Sequence, residues 1–540
     1  MAELALKLAT QPNHLPALKR ALEDTGARPA PGASLLASTY YDSADRKLRR
    51  QDLVFCVEER DARHVQALRG SGAANGNGGP HAGWSDPIAD GRPDPTAPET
   101  GARLQAAMVG DELQPLFKSK VRRTLFKLDA NPDIEIAAAL DEGEIQAAES
   151  SCAEPVCELG LELKRGEPTA LYDMALRLLD VAPLRIETLS ASERGYRLSG
   201  EGVRPVTARP LALDGAMTVE TVLQTVGREC LRHLLRNEPA ALAGDGEAFH
   251  QMRVALRRLR SALCAVKSML PPAQYRWVQD ELKRLADSVG PARDWDVFAT
   301  SLLAPVRAEL PKDGDLALLA DAAIRRKRAA YDSAVEAIGS RRYAESVLKL
   351  ARWFETRAWR EEPASEQTAA LFAPISEVAP RLIERRWRQV VKRSRRFAKR
   401  SQKERHRLRI ALKKQRYVIE FLTGLFDAGE VKAFARRLRP LQEQLGRLND
   451  VCTAQALVSD IVHASDVAAA QLGQEAGLVL GWHRRGLADE ESKLRRSVRR
   501  LRKAKPFWRP VKSNAAVARA PEPAADAAEH PAAAPKLQAS

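Results

Sequence analysis

The sequence contains little that would point to a disulfide-rich or membrane protein. Only six of the 540 residues are cysteine, and none forms a Cys-x-x-Cys pair, so neither a disulfide framework nor a zinc knuckle is expected. No run approaches the roughly 18 consecutive apolar residues of a spanning helix. The first residues also lack a basic segment followed by an apolar stretch, as a secretory signal would have. These absences predict a cytoplasmic protein with no membrane partner.

Charge is distributed unevenly along the chain. Residues 1–200 contain 24 Lys and Arg against 30 Asp and Glu, which leaves 62 and 40 of the totals of 86 and 70 for residues 201–540. The first part therefore has a net charge of −6 and the remainder one of +22. We expect at least two domains with different functions, and an anionic partner for the second.

The pattern of apolar residues changes near residue 200. Short alternating runs over residues 1–198 predict an antiparallel β-rich domain, interrupted at 70–101 by a mobile insertion with eight Gly and five Pro. A linker is expected at 199–216. Long, arginine-rich amphipathic patterns over 217–512 predict an all-α domain, and the Ala- and Pro-rich residues 513–540 predict a disordered tail.

The helical domain contains an internal repeat with an offset of 156 residues. The segment from His250 to Arg260 (HQMRVALRRLR) matches the segment from His406 to Arg416 (HRLRIALKKQR), and a second motif recurs at Gly290–Asp294 and Gly446–Asp450. Two separated matches at one offset indicate a duplicated helical unit. We expect the two copies at about 217–372 and 373–512.

Each copy places cationic residues at i, i+3, i+7 and i+10, which is one face of a helix. We call these two faces the basic stripes; they are His250, Arg253, Arg257 and Arg260, and His406, Arg409, Lys413 and Arg416, extended by Arg258 and Lys414. A solvated surface is one interpretation. Because like charges on one helix face repel, their repetition favours an anion-binding groove.

The other polar residues of the repeat leave alternatives open. The two stripe histidines either donate to phosphate when protonated, with pKa values near neutrality that make binding pH-sensitive, or pack at the helix starts. Asp294 and Asp450 are expected to cap a helix or to pair with stripe arginines rather than to bind metal.

The repeated His-x-[Met/Leu]-Arg-x-Ala-Leu-basic-basic-x-Arg motif and the later Gly-x-x-[Arg/Asn]-Asp resemble the CHAD domain, a duplicated helical bundle. The resemblance covers about residues 217–510. It implies binding of inorganic polyphosphate along a basic groove, at the stripe residues. Polyphosphate carries about one negative charge per phosphate, so a long cationic track with arginine forks suits it.

Residues 1–198 resemble, in order, the motifs of the CYTH domain of triphosphate tunnel metalloenzymes. The matching segments are Glu3 to Lys7, Tyr40 to Asp42, Val65 to Arg69, Leu116 to Arg123, Ala139 to Gly143, Glu158 to Lys164 and Glu193 to Tyr196. The resemblance implies an antiparallel barrel in which inward basic residues bind a triphosphate and glutamates hold Mg²⁺ or Mn²⁺ for attack by water. We therefore expect a CYTH–CHAD fusion like the bacterial inorganic triphosphatases.

The resemblance assigns roles to individual residues. It implies catalytic roles for Glu3, Lys7, Glu158 and Glu162, metal ligation by Glu3, Glu158 and Glu162, and triphosphate binding by Lys7, Arg69, Lys118, Lys120, Arg122, Lys164 and Arg194. The departures are Ala5, Ala137 and Gly160 in place of glutamates, Cys56 and Glu58 in place of arginines, and Ala191 in place of a lysine, with Glu135 as a substitute on the same face as Ala137. Phosphoryl transfer depends on electrostatic stabilisation, so these losses predict reduced or lost activity. An active metal-dependent triphosphatase is the alternative.

Two further hypotheses follow from the basic segments. Residues 381–416 contain 17 Lys and Arg against two Glu, with Trp387 and Phe397 between them, and residues 493–505 are also basic. A protein that binds nucleic acids non-specifically would have the same kind of basic surface as a polyphosphate-binding protein. However, an aromatic content of 5% provides few side chains on which bases could stack. A structural scaffold at polyphosphate granules is the other hypothesis. The sequence gives no oligomeric state.

Overall fold

The computed structural model describes residues 4–30, 33–60, 63–70, 83–131, 133–148, 151–310, 316–363, 365–463 and 469–509. The candidate residue Glu3 and the tail at 513–540 lie outside these ranges, as do residues 71–82 of the predicted insertion.

The N-terminal domain is built on one antiparallel sheet. Its strands are β1 (Leu4–Ala9), β2 (Arg28–Pro29), β3 (Ser34–Asp42), β4 (Leu53–Arg60), β5 (Arg63–Gly70), β6 (Gly83–Ile88), β7 (Gln114–Asn131), β8 (Ile134–Ala147), β9 (Ala153–Arg165) and β10 (Arg185–Ile186). The order is β10-β1-β9-β8-β7-β3-β4-β5-β6, with β2 beside β7. The antiparallel prediction is confirmed. The predicted barrel is not closed in the described part of the chain, where β10, only two residues long, and β6 are the unjoined ends.

Five helices accompany the sheet: α1 (Leu15–Asp24), α2 (Lys47–Arg50), α3 (Gly101–Met108), α4 (Pro168–Val181) and α5 (Ala191–Tyr196). Helices α1 and α4 pack their apolar sides on one face of the sheet, where Leu18 and Leu171 join Leu8 and Leu159 in a fully buried core. Burial of such side chains is the main stabilising contribution to a domain of this kind. The opposite face of the sheet is left to line a cavity.

The prediction of an insertion without regular structure at 70–101 is wrong for its second half. Residues 83–88 form β6, which pairs with β5 in the register Arg69↔Gly83 to His64↔Ile88. Asp86 on this strand accepts hydrogen bonds from Thr100 N and Thr100 Oγ1, at 2.8 and 2.6 Å. The Gly and Pro content suggested no periodic structure, but backbone pairing with β5 and this buried carboxylate hold the segment in place.

The C-terminal domain is all-α, as predicted. Its helices are α6 (Val219–Leu235), α7 (Glu238–Leu242), α8 (Gly246–Ala265), α9 (Pro272–Val297), α10 (Ala304–Glu309), α11 (Ala317–Gly339), α12 (Arg341–Glu355), α13 (Glu366–Ala369), α14 (Ile375–Ser394), α15 (Gln402–Leu422), α16 (Ala428–His463) and α17 (Ala469–Arg502). The first residues of α6 and α14, of α8 and α15, and of α9 and α16 are 219 and 375, 246 and 402, and 272 and 428. Each pair differs by 156, so the sequence offset is also the offset of the helix starts. None of the helices formed by the described residues has an apolar stretch of membrane-spanning length.

The two domains pack against each other through α12 and α4. Ala344 and Leu348 of α12 are buried in the core of the sheet domain. Arg236 Nη1 donates to Glu193 Oε2 at 2.9 Å, and Arg352 Nε lies 3.0 Å from Asp173 Oδ1. The segment between the domains is also held, because Val206 O accepts a hydrogen bond from Asn237 Nδ2 at 3.0 Å.

Candidate functional site

The two basic stripes meet on neighbouring helices. Helices α8 and α15 lie side by side, and Arg257 Nε on α8 donates to Tyr417 Oη on α15 at 2.8 Å. The charges of Arg253 and Arg257 contribute to lowering the pKa of Arg409, behind burial, the largest cause. Residues separated by about 150 positions are therefore brought into one cationic cluster, formed by Arg253, Arg257, Arg409 and Lys413. We call this cluster the central groove, after the groove predicted from the sequence.

Cations are crowded in the central groove. Burial, followed by the positive charges of Arg257 and Arg409, lowers the pKa of Lys413 to about 6. Two carboxylates offset part of this charge: Asp294 Oδ1 lies 2.8 Å from Arg253 Nη1, and Asp450 Oδ1 lies 3.8 Å from Arg409 Nη2. The groove thus has more cationic than anionic groups, which is the arrangement that an anionic ligand stabilises.

The remaining stripe residues flank the central groove. Arg260 Nε lies 3.4 Å from Gln279 Oε1, and Arg416 is exposed, with its guanidinium 4.8 Å from the centre of the Tyr417 ring. His406 is exposed, and its Nδ1 lies 2.5 Å from Asn449 Oδ1. His250 is half-buried. Burial and the charge of Arg293 lower its pKa to about 4, so the expected pKa near neutrality is wrong for this histidine, which is uncharged at pH 7.

Arg258 and Lys414 do not line the central groove, contrary to the prediction. Arg258 is 5% exposed, bonds to Glu420 on α15 and lies over the Phe421 ring at 4.9 Å. Lys414 Nζ lies 3.4 Å from Cys264 Sγ and lines a different cleft. Both residues follow a stripe residue by one position, and one step along a helix turns the side chain by about 100°.

The sheet domain encloses a cavity of about 880 Å³. It is lined by side chains of almost every strand and of α5, among them Lys7, Tyr40, Glu58, Arg69, Arg123, Asp141, Glu158, Glu162 and Arg194. The predicted residues Lys7, Arg69, Glu158, Glu162 and Arg194 are therefore brought together. Lys164 lies at the end of β9, 41% exposed, with Nζ 2.5 Å from Glu162 Oε1.

The cations of this cavity are bonded to carboxylates of the chain itself. Glu158 accepts from Arg194 Nη1 at 2.6 Å and lies 3.2 Å from Lys7 Nζ. Arg123 makes a two-pronged pair with Asp141, at 2.7 Å for each contact. Arg69 Nη1 lies 2.6 Å from Glu58 Oε1. Such charge-assisted pairs are the strong class of hydrogen bond, so a phosphate group entering here competes with existing partners.

Three predicted triphosphate ligands lie on the wrong face of β7. Lys118, Lys120 and Arg122 are exposed, whereas the alternating residues Ser119, Val121 and Arg123 line the cavity. Because side chains alternate along a strand, a shift of one residue exchanges the two faces. Arg123 and its cross-strand partner Asp141 were not predicted as site residues. The adjacent pair Arg122-Arg123 makes either frame possible, and only the pairing of β7 with β8 separates them.

The described carboxylates do not form a divalent-metal site. Glu158 is engaged by Lys7 and Arg194, and Glu162 by Lys164. Ala137 and Gly160, which stand in place of two expected glutamates, line the cavity and supply no oxygen ligand. Within the described ranges no three His, Cys, Asp or Glu residues are grouped closely enough to hold an ion. Mg²⁺ and Mn²⁺ prefer several oxygen ligands at short range, and this set does not supply them.

Comparison with known proteins supports both domains. Residues 225–459, within the helical domain, match the CHAD domain family. The inorganic triphosphatase of Haemophilus influenzae is 25% identical over 166 residues, which are 31% of this chain and 46% of that protein. The match therefore spans less than half of that relative. The predicted order, a CYTH-like domain followed by a CHAD domain, is confirmed.

Two of the solved structures that match parts of this chain are from Ricinus communis and Hippeastrum. The CHAD domain of Ricinus communis is 29% identical and covers 55% of this chain and 96% of that chain, with a TM-score of 0.48. A putative adenylyl cyclase of Hippeastrum with a dominant triphosphatase activity is 17% identical and covers 36% of this chain and 96% of that chain, with a TM-score of 0.22.

Proposed function

We propose that this protein binds inorganic polyphosphate in the central groove of its CHAD domain. The observation that carries the proposal is the convergence of two duplicated basic stripes on one surface, where burial and neighbouring cations lower the pKa of Lys413 to about 6. A polyanion laid along the groove replaces this repulsion with attraction. Arginine forks at Arg253, Arg257 and Arg409 suit the non-bridging oxygens of phosphate.

The shape of the groove favours a chain over a compact anion. Each stripe extends from i to i+10, or about 15 Å at the rise of an α-helix, and both stripes carry cations along this length. A flexible chain with about one charge per phosphate can contact successive cations in turn. The proposed place of action is the cytoplasm, at polyphosphate granules.

For the sheet domain we propose reduced or lost triphosphatase activity. The ion pairs Arg69–Glu58, Arg123–Asp141 and Arg194–Glu158 occupy the groups that would otherwise stabilise charge on a triphosphate. The alternative is an active metal-dependent enzyme. Phosphate release from inorganic triphosphate with Mg²⁺ or Mn²⁺ tests it: turnover that is lost in the Glu158→Ala, Glu162→Ala double variant would establish activity, and no turnover in either protein would support the proposal.

Titration of polyphosphate into the full chain tests the groove. The variant replaces Arg253, Arg257, Arg409 and Lys413 with Ala, and the matched control replaces Arg325, Arg328, Arg436 and Arg437, which are exposed outside the groove. We expect affinity to fall at least 100-fold in the groove variant and less than threefold in the control. Equal losses of affinity in the two variants would show that binding depends only on net charge, and this would contradict binding in the central groove.

Competition with single-stranded RNA of equal charge separates polyphosphate from nucleic-acid binding. Few aromatic side chains are present to stack on bases, so polyphosphate should displace RNA at lower concentration over a range of salt. RNA that binds more tightly than polyphosphate at every salt concentration would favour the nucleic-acid function instead.

A further inference from the structure

A second basic cleft lies between α14 and α15, apart from the central groove. Its volume is about 300 Å³, and its lining residues are Arg386, Gln389, Arg393, Arg407, Ile410, Ala411 and Lys414. Four of these seven are cations and none is an acid. In the described part of the chain, none of the four cations lies within 4.0 Å of a carboxylate oxygen, unlike the cations of the sheet-lined cavity.

Some donors in this cleft contact only neutral groups, and one has no partner. Arg386 donates through Nη2 to the main-chain oxygen of Cys264, while its Nε is buried with no hydrogen-bond partner among the described residues. Arg393 Nη1 donates to Gln389 Oε1 at 3.1 Å. A buried donor without an acceptor costs free energy unless a ligand or water satisfies it.

The first copy of the repeat shows that packing of this helix pair does not require three of the four cations, Arg386, Arg393 and Arg407. Helices α6 and α8 are the counterparts of α14 and α15, and subtracting 156 from 386, 389, 393 and 407 gives Cys230, His233, Asn237 and Gln251. His233 Nε2 lies 3.2 Å from Gln251 Oε1 and 3.0 Å from Val206 O, which also accepts from Asn237. The fourth cation, Lys414, corresponds to Arg258, which bonds to Glu420. The equivalent region of the first copy thus holds one cation, paired with a carboxylate, and is closed by the main chain at Val206.

The cleft and the central groove are separate on α15. Arg407 and Lys414 line the cleft together with residues of α14, whereas Arg409 and Lys413 lie beside the stripe of α8. The two cation sets therefore require separate ligands, or separate parts of one ligand.

We propose that the cleft between α14 and α15 binds a compact phosphate anion, of the class of pyrophosphate or the terminal phosphates of a chain. The small volume excludes a long folded polyanion, and four cations with no internal acid demand a multiply charged ligand. The guanidinium groups supply paired donors that match phosphate oxygens. Ile410 and Ala411 provide no aromatic surface for a base, so a nucleotide gains nothing over its phosphates.

Pyrophosphate binding to the full chain, measured by isothermal titration calorimetry, tests this site. The cleft variant is Arg393→Asn with Arg407→Gln, which installs the residues found at the equivalent positions of the first copy, where they are compatible with the same helix pair. Arg253→Ala with Arg257→Ala is the groove variant, and Arg436→Ala with Arg437→Ala controls for net charge. The single variant Arg407→Gln, at an exposed position, serves if the double variant does not fold.

We expect saturable pyrophosphate binding that weakens at least tenfold in the cleft variant and less than threefold in the other two. No saturable binding to the unaltered chain, or an equal loss in all variants, would overturn the site. A long polyphosphate that displaces pyrophosphate from the groove variant would identify the chain end as the ligand, and failure to displace it would identify the free anion. Because polyphosphate binding in the central groove is tested with a separate variant, absence of pyrophosphate binding in the cleft would not contradict the polyphosphate proposal.

Discussion

Lys414 Nζ lies 3.4 Å from Cys264 Sγ, and this contact is the repeat counterpart of the ion pair Arg258–Glu420. Subtracting 156 from 414 and 420 gives 258 and 264, so a thiol stands where the other copy has a carboxylate. The duplicated helices α8 and α15 are therefore joined by one ion pair on one side and by a lysine–cysteine contact on the other.

This contact predicts an unusually reactive thiol. Burial raises the pKa of Cys264, but the charges of Arg386 and Lys414 outweigh burial and the pKa is lowered overall. Burial raises the pKa of Cys230 to about 12. At pH 7 iodoacetamide should therefore label Cys264 on the order of tenfold faster than Cys230, since the thiolate is the nucleophile. Peptide mass spectrometry over time measures both rates. Lys414→Met should slow Cys264 labelling, and an unchanged rate would contradict the role of Lys414.

Because Glu58 pairs with Arg69, removing the charge of Glu58 should strengthen the binding of inorganic triphosphate in the cavity. Glu58→Gln releases the Arg69 guanidinium, which now bonds to Glu58 at 2.6 Å, for contact with a phosphate. One charge-assisted hydrogen bond corresponds to about a tenfold gain in affinity for inorganic triphosphate, measured by calorimetry without metal. Glu142→Gln removes the same charge from the exposed outer face of β8. If both variants gain equally, net charge rather than Arg69 determines binding.

The lowered pKa of Lys413 predicts that the protein takes up a proton when polyphosphate binds. Its pKa of about 6 in the ligand-free groove leaves it uncharged at pH 7.5, and a phosphate chain nearby raises that pKa, so binding at this pH takes up a proton. Affinity should therefore fall as pH rises from 6 to 8, by up to about tenfold per pH unit. Calorimetry in buffers with different ionisation enthalpies counts the protons. Lys413→Met should bind more weakly and lose most of the pH dependence; a pH profile that this variant leaves unchanged would assign the effect elsewhere.

Much of the helical domain follows from the sequence because helices are local. The 156-residue offset anticipated the paired helix starts, and the i, i+3, i+7 spacing identified Arg253 and Arg257 as members of one face. The cleft between α14 and α15 was not anticipated, although its cations belong to the basic segment 381–416. Its definition requires knowing that Arg386 and Arg407, on different helices, face each other.

The site in the sheet domain is harder to predict from the sequence, because it depends on contacts between distant strands. Alternation located β7 but did not decide between Lys118 and Ser119 as the inward position. The neutralising pair Arg123–Asp141 arises from the register of β7 with β8, which the sequence does not encode in a short motif. The sequence shows that the expected ligands are absent at Gly160 and Ala137. It does not show that the charged residues that remain in the cavity pair with one another.

Gly195, within the Glu-Arg-Gly-Tyr segment of α5, carries the last prediction. A Cβ at this position would lie 2.0 Å from the Phe117 ring. That ring is fully buried and cannot retreat, because it stacks on Tyr40 at 4.6 Å and meets the edge of Tyr196 at 5.4 Å. Gly195→Ala should therefore destabilise the sheet domain by about 1–3 kcal/mol, seen as faster hydrogen exchange of β7 amides. Gly473→Ala, in an exposed position of α17 with open space around it, should leave that exchange unchanged and add helix propensity. Wild-type exchange of β7 in Gly195→Ala would contradict this prediction and would show that α5 shifts to accommodate the methyl group.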